Sequence, residues 1–502
     1  MSNSVEWYLK TYGPSLTSEV AEHLVKVNFI KPATARKQVS RASGTVKRLA
    51  YITFPKRARF LYLEKDFGSP MYWEHLVKAL LDTNSAYGHA LAAISQRDGI
   101  MPSAHFQIAC GAPLKQAKHL SPNTVLERLL QAQLVQKMTV PGLGECITLA
   151  QHEGHFDSSV SEIRARLITE SVVLTAVRDW VKNLGIVSYD KVETRDGANT
   201  PKVGTFAWDL SAPSYLGFMV KYDKAGEPKP GFVACDILLG KQISEAGLRP
   251  FINKCKTLRS LRNVAPCMQI FVANSYSKAA FALAKKNGVI PATPKNLFGK
   301  EVADGLVELT SVLRQAAETS IDPEAFESLF NKLGKIEGAS NQIRGTLFEF
   351  MTAQLLRKTL SSQVMLNRSY KAEINGTVKE AEADVICVDG EHSTTFVECK
   401  GYSPYATIPD HELLHWFQHQ VPVLFKAARQ HPDWKNNKLH FEFWATGTLS
   451  ESVRHRFQVA KTNIRPTKYT LELKLGDDIY ALCRDAKEKP LINAFRTHYM
   501  KK

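Results

Sequence analysis

Four side chains in the last third of the chain have the types and spacing that hydrolysis of a phosphodiester needs. Glu398 and Lys400 are separated by one residue, Asp384 precedes them, and Glu349 lies further upstream. Carboxylates on adjacent strands form a hard oxygen donor set that suits Mg²⁺ or Mn²⁺. Such a cation polarises a phosphate and lowers the pKa of a bound water, and a nearby lysine orients that water. The pattern therefore predicts Asp384 and Glu398 as metal ligands, Lys400 as a catalytic cation and Glu349 as a supporting carboxylate that completes the metal shell.

A helix and a set of short strands must position these residues. The predicted helix and strands are at residues 341–359, 370–374, 382–388 and 394–400. The helix carries Glu349. Asn375-Gly376 predicts a tight turn between the first two strands. Alternation along the last strand places Glu398 and Lys400 on one face and Cys399 on the other.

A helical glutamate followed by an aspartate and Glu-x-Lys resembles the PD-(D/E)xK nuclease superfamily, which has the restriction-endonuclease-like fold. The resemblance covers residues 335–485, through a helix at 410–430 and strands at 439–445 and 469–475, although Ala383 replaces the nominal proline. It implies an α/β/α core that cleaves DNA endonucleolytically with Mg²⁺ or Mn²⁺. It also implies a restriction or anti-phage setting, with a partner protein of a defence system, or else DNA repair. The residues alone leave open a surface hairpin with a salt-bridged Glu–Lys pair.

A second, altered copy of this plan is predicted at residues 160–312. Its segment Gly231-Phe-Val-Ala-Cys-Asp236 matches Thr395-Phe-Val-Glu-Cys-Lys400 position for position. In this match Ala234 replaces the metal ligand Glu398, and Asp236 replaces Lys400 and reverses its charge. The second copy is therefore predicted to be an inactive pseudonuclease that packs, dimerises or binds DNA. The positions of this degenerate site are Glu170, Asp209, Ala234 and Asp236.

Other segments of the second copy follow the same order. A helix is predicted at 171–184, residues 206–209 resemble the aspartate-bearing strand, and residues 268–290 resemble the strand and Ser-Lys-Ala helix of Mrr-like restriction endonucleases. The alternative to an inactive second copy is that Lys241 supplies the catalytic lysine from a different position.

Half of the net charge of +16 lies in the first 65 residues, which contain 12 Lys and Arg against 4 Asp and Glu. Such a concentration predicts a polyanion-binding surface, most often for nucleic acid. The order of a helix beginning within 15–19, a helix at 33–49 and strands at 51–54 and 60–63 resembles a winged helix, which binds duplex DNA. The predicted DNA contacts are Arg36, Lys37, Arg41, Lys47, Arg48, Lys56, Arg57 and Arg59. A solvated basic helix in a small protein-binding module is the alternative.

The predicted fold class is a multidomain α/β protein with tandem winged helices at the N-terminus. The predicted domains are a basic winged helix at 1–68, a second winged-helix-like domain at 69–155, the pseudonuclease at 160–312, a helical linker at 313–340 and the nuclease at 341–502. The second winged helix is predicted from helices at 71–81 and 123–134 and a hairpin around 141–144. Residues 66–160 carry 6 basic and 8 acidic side chains, which favours packing or spacing over DNA contact. The chain is predicted to break near Gly334 and Gly338.

Several other signals have competing interpretations. His411-Glu412-Leu-Leu-His415 matches the HExxH pattern of zinc proteases, but no further ligand motif follows, and His419 continues the same helix face. Gly240-Lys241 lacks the rest of a phosphate-binding loop. The aromatic residues between 416 and 444 favour a core over a base-stacking platform.

Composition excludes other classes of protein. The eight scattered cysteines contain no CxxC pair, and no apolar run is long enough for a membrane helix. A cytoplasmic protein without membrane association is predicted. The alternatives in function are a non-catalytic DNA-binding regulator on nuclease-like folds and an RNase on the same fold. A homodimer would supply the two active sites that cutting both strands usually requires.

Overall fold

The structure, a computed structural model, describes residues 4–140, 143–150, 160–197, 199–222, 225–318, 328–329, 332–333, 339–360, 363–487 and 489–501. The chain is of mixed α/β type and forms two compact units. The first comprises residues 1–139, 145–158 and 180–293, and the second comprises 140–144, 159–179 and 294–502. The finer division into five domains stays a prediction. None of the helices in the described part of the chain has the length and apolar character that crossing a bilayer requires.

The first unit begins with two modules that share one sheet topology, and the second module has one additional helix at its start. The helices are α1 (Val5–Tyr12), α2 (Thr17–Asn28), α3 (Pro32–Arg41), α4 (Pro70–Asp82), α5 (Ala86–Ser95), α6 (Ser103–Ala109) and α7 (Pro122–Gln131). The strands are β1 (Ser15–Leu16), β2 (Val46–Arg48), β3 (Phe60–Leu63), β4 (Ile100–Pro102), β5 (Val135–Val140) and β6 (Gly144–Leu149). The sheets have the orders β1–β3–β2 and β4–β6–β5. In each module the last strand therefore lies between the other two. Pro141 and Gly142 of the second predicted hairpin lie outside the described residues.

The helix predicted at 33–49 is shorter in the structure, and residues 51–54, predicted as a strand, are not in one. Helix α3 ends at Arg41, and the strand that pairs with β3 is β2. Ala42 ends the helix with an extended backbone, and Gly44, at φ +75°, forms the turn that leads into β2. Arg48 Nη2 then donates hydrogen bonds of 3.0, 3.1 and 2.7 Å to the carbonyl oxygens of Val39, Ser40 and Ala42. Arg48 thus caps the end of α3.

The rest of the first unit is built on a five-stranded sheet of order β15–β14–β13–β10–β7. Its strands are β7 (Glu193–Thr194), β10 (Leu210–Ser214), β13 (Gly231–Leu238), β14 (Cys267–Ala273) and β15 (Ile290–Ala292), and two small hairpins are β8 (Lys202–Val203) with β9 (Phe206–Ala207) and β11 (Lys221–Tyr222) with β12 (Pro228–Lys229). The helices are α9 (Glu245–Ser260) and α10 (Lys278–Lys286). Strand β13 is antiparallel to β10 and parallel to β14.

Two predicted elements of this region have different bounds in the structure. The helix predicted at 171–184 is α8 (Val160–Asn183), whose residues as far as Asp179 belong to the second unit. The strand predicted at 206–209 ends at Ala207, and Asp209 directly precedes β10. Trp208, between them, is fully buried in the core.

The second unit contains a five-stranded sheet of order β16–β17–β18–β19–β20. Its strands are β16 (Gln363–Ile374), β17 (Thr377–Asp389), β18 (Ser393–Lys400), β19 (Lys438–Ala445) and β20 (Thr470–Lys474). Its helices are α11 (Pro294–Phe298), α12 (Lys300–Glu318), α13 (Ala339–Leu360), α14 (Asp410–His415), α15 (Val421–Gln430), α16 (Glu451–Asn463), α17 (Gly476–Asp485) and α18 (Lys489–Tyr499), with a π-helical turn at Trp416–Gln420. Gly334 and Gly338 of the predicted linker lie outside the described residues.

The two five-stranded sheets share one plan of strand directions. In the second unit, β17 and β18 are antiparallel, and β18, β19 and β20 are parallel. In the first unit, β10 and β13 are antiparallel, and β13, β14 and β15 are parallel. Apolar side chains of the second sheet pack with those of α14, α15 and α16 to form one core. Both sheets therefore provide a similar antiparallel pair next to a parallel extension.

Candidate active site

The hairpin of β17 and β18 brings Asp384, Glu398 and Lys400 together. Val385 lies opposite Val397 in the antiparallel ladder, so Asp384 lies beside Glu398 at the next position. Asp384 Oδ2 accepts a hydrogen bond of 2.7 Å from the Cys399 amide. Lys400 Nζ lies 3.0 Å from Glu398 Oε1. One hairpin therefore holds two carboxylates and an ammonium in a single cluster.

Helix α13 adds Glu349 to this cluster. Glu349 Oε2 accepts a hydrogen bond of 3.4 Å from Asn367 Nδ2 and lies 3.7 Å from Arg164 Nη2. Asn367 is opposite Asp384 in the register of β16 and β17, and it adopts φ +50°. A left-handed residue inside a strand costs about 1–2 kcal/mol, and such strain is concentrated at functional sites.

Gly401 permits α13 to approach the end of β18. A Cβ at this position would lie 2.5 Å from Phe348 Cβ and 2.7 Å from the Arg344 carbonyl oxygen. Both distances are shorter than non-bonded atoms tolerate, so the helix and the strand end can meet only where a residue has no side chain. Since Glu349 follows Phe348, this close approach positions the helical carboxylate.

Burial and mutual repulsion make these carboxylates unusually basic. Burial, together with the negative charge of Asp384, raises the pKa of Glu349 to about 8 and that of Glu398 to about 8. Burial also raises the pKa of Asp384 itself. The Glu398 and Asp384 carboxylates raise the pKa of Lys400 against the opposing effect of burial. The cluster is therefore short of positive charge, a deficit that a bound cation would correct.

These pKa shifts predict that the metal-free protein becomes less stable as pH rises from about 5 to 8. A carboxyl with a raised folded-state pKa binds a proton that the unfolded chain, with an ordinary value near 4.5, has released. The contribution of this proton to the free energy of unfolding is complete below pH 4.5 and is lost as the pH rises through about 8. Urea unfolding in EDTA across this range should show a smaller fall for Glu398→Gln than for wild type. Glu380→Gln, an exposed control on β17, should follow wild type, and identical slopes for Glu398→Gln and wild type would contradict the prediction.

The cluster opens into a cleft of about 650 Å³ in the second unit. The side chains and backbone that line it are those of Gly345, Glu349, Glu398, Cys399, Lys400, Gly401, Tyr402, His411, Glu412, His415 and Gln420. Lys400 Nζ is also 3.7 Å from Glu412 Oε2, and the Tyr402 hydroxyl donates a hydrogen bond to Glu412. Glu412, which Tyr402 holds in place, is thus a second carboxylate partner of Lys400.

The carboxylates of the cluster have the chemistry of a hard-cation site. Among the residues that the structure describes, no three His, Cys, Asp or Glu side chains form a ready-made metal cage. Asp384, Glu398 and Glu349 nevertheless have the hard oxygen atoms and the shortage of positive charge that suit Mg²⁺ or Mn²⁺. The HExxH residues fit a zinc protease less well, because Glu412, the general base of that motif, is engaged by Tyr402 and Lys400. Their place is the wall of the same cleft.

Comparisons with known proteins add little to this geometry. No protein-family model and no curated protein matches the chain. Among solved structures, the restriction endonuclease FokI aligns with 93% of this chain and 79% of its own, at 10% sequence identity and a TM-score of 0.17. A TM-score this low carries no conclusion about fold or function.

The predicted DNA contacts differ in their surroundings. Arg36, Lys37 and Arg41 are exposed on α3. Lys56, Arg57 and Arg59 are exposed in the turn before β3, where Lys56 and Arg57 adopt positive φ of 55° and 60°. Lys47 is half-buried and lies 3.3 Å from Glu64, and Arg48 is occupied in capping α3. The first six therefore form an exposed basic surface, whereas Lys47 and Arg48 have partners within the module.

The degenerate site has a different register from the one predicted. Leu210 lies opposite Cys235, so Asp209 lies opposite Asp236, as Asp384 lies beside Glu398. Asp236 thus corresponds to Glu398. The prediction that Asp236 corresponds to Lys400 is wrong by two residues, and Ala234 is not at a ligand position. Glu170 belongs to the second unit, where its carboxylate lies 3.8 Å from Arg166. Lys241 is 72% exposed and pairs with Asp98, which argues against it as a migrated lysine.

Arg164, Asn367, Tyr402 and Glu412 contribute to the site but were not predicted. Arg164 precedes Glu349 by nearly 200 residues, and no motif marks it. Glu412 had a signal, the HExxH pattern, but that pattern predicted a different chemistry. Of the aromatic residues predicted as core, Phe417 is only partly buried against the core and the others are buried, which confirms the prediction for them: Trp416, Trp434, Phe441, Phe443 and Trp444. Seven of the eight cysteines are buried, and Cys267 is partly buried.

Proposed function

We propose that the second unit is a metal-dependent nuclease with the restriction-endonuclease-like fold, and that it hydrolyses phosphodiester bonds of DNA. The observation that carries the proposal is the cluster that Asp384 forms with Glu398, Lys400 and Glu349, the last three of which line one open cleft. A buried structural salt bridge would need no cleft, and a surface hairpin would not raise the pKa values of two carboxyls to about 8. Perturbed carboxyls in an open cleft are typical of catalytic sites.

Each side chain has a proposed role in hydrolysis. Asp384 and Glu398 hold the cation, and Asp384 is kept in place by its hydrogen bond from the Cys399 amide. Glu349 adds a third carboxylate, oriented by Asn367 and Arg164. Lys400 orients the attacking water and neutralises charge on the phosphate, with its ammonium fixed between Glu398 and Glu412. When bound, Mg²⁺ or Mn²⁺ would polarise the phosphate and acidify the water.

We further propose that the two N-terminal modules are winged helices and that the first binds duplex DNA. Its support is the exposed surface of six cations on α3 and the turn before β3: Arg36, Lys37, Arg41, Lys56, Arg57 and Arg59. A helix and a basic turn on one small module match the groove and backbone contacts of such domains. Lys47 and Arg48 have a structural role in this proposal.

The basic surface predicts a change in the salt dependence of DNA binding. Arg36→Ala with Arg41→Ala removes about two phosphate contacts, which should lower the slope of log K against log salt by about 1.8. The measurement is fluorescence anisotropy of a labelled duplex at salt concentrations from about 50 to about 200 mM. Lys115→Ala with Lys118→Ala removes the same charge from exposed positions of the second module and should leave the slope unchanged. Equal slopes for wild type and the double arginine variant would exclude α3 from DNA contact.

Plasmid cleavage tests the proposed activity. Purified protein should nick or linearise supercoiled DNA with Mg²⁺ or Mn²⁺ and should leave it intact in EDTA. Binding without cleavage under every divalent cation would instead favour a non-catalytic regulator on nuclease-like folds. Cleavage of single- or double-stranded RNA, with DNA left intact, would favour an RNase.

The biological setting and assembly follow only from the resemblance to PD-(D/E)xK nucleases. A restriction or anti-phage role, with a defence partner, and a role in DNA repair are both compatible with this cleft. Cutting both strands of a duplex would be served by a homodimer with two such clefts. Sedimentation with and without duplex measures that stoichiometry.

A further inference from the structure

The first unit contains a buried ion cluster at the position that corresponds to the candidate active site. Asp209 lies opposite Asp236 in the ladder of β10 and β13. Asp209 Oδ2 accepts a hydrogen bond of 2.7 Å from the Ile237 amide, the residue after Asp236. In the second unit, Asp384 Oδ2 accepts the same bond, also 2.7 Å, from the residue after Glu398. The carboxylate pair is therefore retained in the first unit.

The lysine position is not retained. The shared register places Leu238 where the second unit has Lys400, because Asp236 lies beside Phe271 on β14 as Glu398 lies beside Phe443 on β19. A leucine at this position cannot orient a water or neutralise a phosphate. The first unit has thus lost the catalytic ammonium of the strand.

An ammonium from α9 is bound to the pair instead. Lys254 is 1% exposed, and its Nζ pairs with Asp236. The same Nζ donates hydrogen bonds of 2.9 Å to the Ala207 carbonyl and 3.2 Å to the Ile108 carbonyl. It also lies 4.0 Å from the centre of the Trp208 ring. Three oxygen partners satisfy all three donors of the ammonium, and the aromatic face covers it.

Asp209 is neutralised separately. Arg195 Nη1 donates a hydrogen bond of 3.0 Å to Asp209 Oδ1, and the side chains of these residues are 6% and 2% exposed. Each carboxylate of the pair thus has its own internal cation. In the second unit, by contrast, Lys400 is 26% exposed and lines the open cleft.

We propose that the first unit keeps the carboxylate pair of a divalent-cation site and that the Lys254 ammonium permanently occupies the place of the cation. This proposal rests on the proposed function of the second unit, because that function identifies the ligand of such a carboxylate pair as a divalent cation. In the first unit, both carboxylates of the pair are therefore present, and the Lys254 ammonium is their counter-ion. The wild-type first unit accordingly binds no divalent cation, and removal of Lys254 exposes a site for one.

The test uses Mn²⁺ alone as the probe, in full-length protein that carries Asp384→Asn and Glu398→Gln. That background removes the candidate site of the second unit, so the result is independent of whether the second unit cleaves DNA. The background protein should show no Mn²⁺-dependent rise in its thermal unfolding midpoint. Adding Lys254→Ala should lower the midpoint in EDTA by many degrees, and Mn²⁺ should restore a large part of the loss. Adding Asp236→Asn as well should abolish the restoration.

Each outcome bears on the proposal. A folded Lys254→Ala protein that does not respond to Mn²⁺, or responds equally with Asp236→Asn, overturns it. A Lys254→Ala protein that folds only when refolded with Mn²⁺ supports it, and one that folds under neither condition overturns it. Electron paramagnetic resonance of Mn²⁺ with the folded background protein gives a second measurement that needs no Lys254 variant. Bound Mn²⁺ that disappears on Asp236→Asn would show that the ammonium does not exclude the cation, which also overturns the proposal.

Discussion

Lys400→Met should reduce DNA cleavage by about 10²–10³-fold, the usual cost of removing one preorganised group that stabilises developing charge. Lys400 Nζ is held 3.0 Å from Glu398 and 3.7 Å from Glu412, so its ammonium is fixed before substrate arrives. The methionine keeps most of the side-chain volume and removes the charge. Cleavage rates on supercoiled plasmid measure the loss. Duplex affinity in EDTA should change little, because the proposed binding surface lies in the first unit.

Lys371→Met is the matched control for this substitution. Lys371 lies on β16 of the same sheet, is 55% exposed and pairs with Glu380 at 3.5 Å. It carries the same charge but does not line the cleft, so its variant should cleave at the wild-type rate. A Lys400→Met protein that cleaves as fast as Lys371→Met would remove Lys400 from the mechanism.

Gly401→Ala should destabilise the second unit by about 1–3 kcal/mol and also lower the cleavage rate. The added Cβ would lie 2.5 Å from Phe348 Cβ and 2.7 Å from the Arg344 carbonyl oxygen. Relief of this overlap requires α13 to move away from the end of β18. That movement shifts Glu349 relative to Glu398, and a misplacement of about 1 Å can cost on the order of 10²-fold in rate. Urea unfolding and plasmid cleavage measure the two effects.

Gly345→Ala provides the contrast on the same helix. A Cβ at Gly345 meets no atom within 4 Å, and alanine is favoured over glycine inside a helix by up to about 1 kcal/mol. The Gly345→Ala protein should therefore be at least as stable as wild type. Equal stability of Gly401→Ala and Gly345→Ala would contradict the close approach of α13 to the strand end.

The local part of the candidate site could be predicted because its signals are short-range. Asn375-Gly376 predicts a turn with two positive φ values, and the structure has 52° and 78° there. Alternation along β18 predicts the common face of Glu398 and Lys400, which meet at 3.0 Å. Each of these signals depends on neighbouring residues alone.

The sequence match between the two copies is two residues out of register with the strands, and this has a physical reason. Side chains of a strand alternate with a period of two, so a shift of two residues leaves every side chain on its original face. The apolar pattern of β13 is thus equally compatible with either alignment. Only the ladder, with Asp209 opposite Asp236, distinguishes them.

Long-range partners had no signal in the sequence. Arg164 reaches Glu349 from α8, and Lys254 reaches Asp236 from α9. A lysine inside an amphipathic helix usually predicts a solvated position, because burial of an unpaired ammonium is costly. Lys254 is buried since the fold supplies Asp236 and two carbonyl groups as partners. Such compensation exists only in the folded protein.

The most direct test of the proposed site is a crystal of the protein soaked in Mn²⁺ and measured at the manganese absorption edge. The account predicts an anomalous peak between the carboxylates of Asp384 and Glu398, within reach of Glu349 and beside Lys400, and predicts its loss in Asp384→Asn crystals. No peak there at saturating Mn²⁺, or an equal peak in the Asp384→Asn crystals, would contradict it.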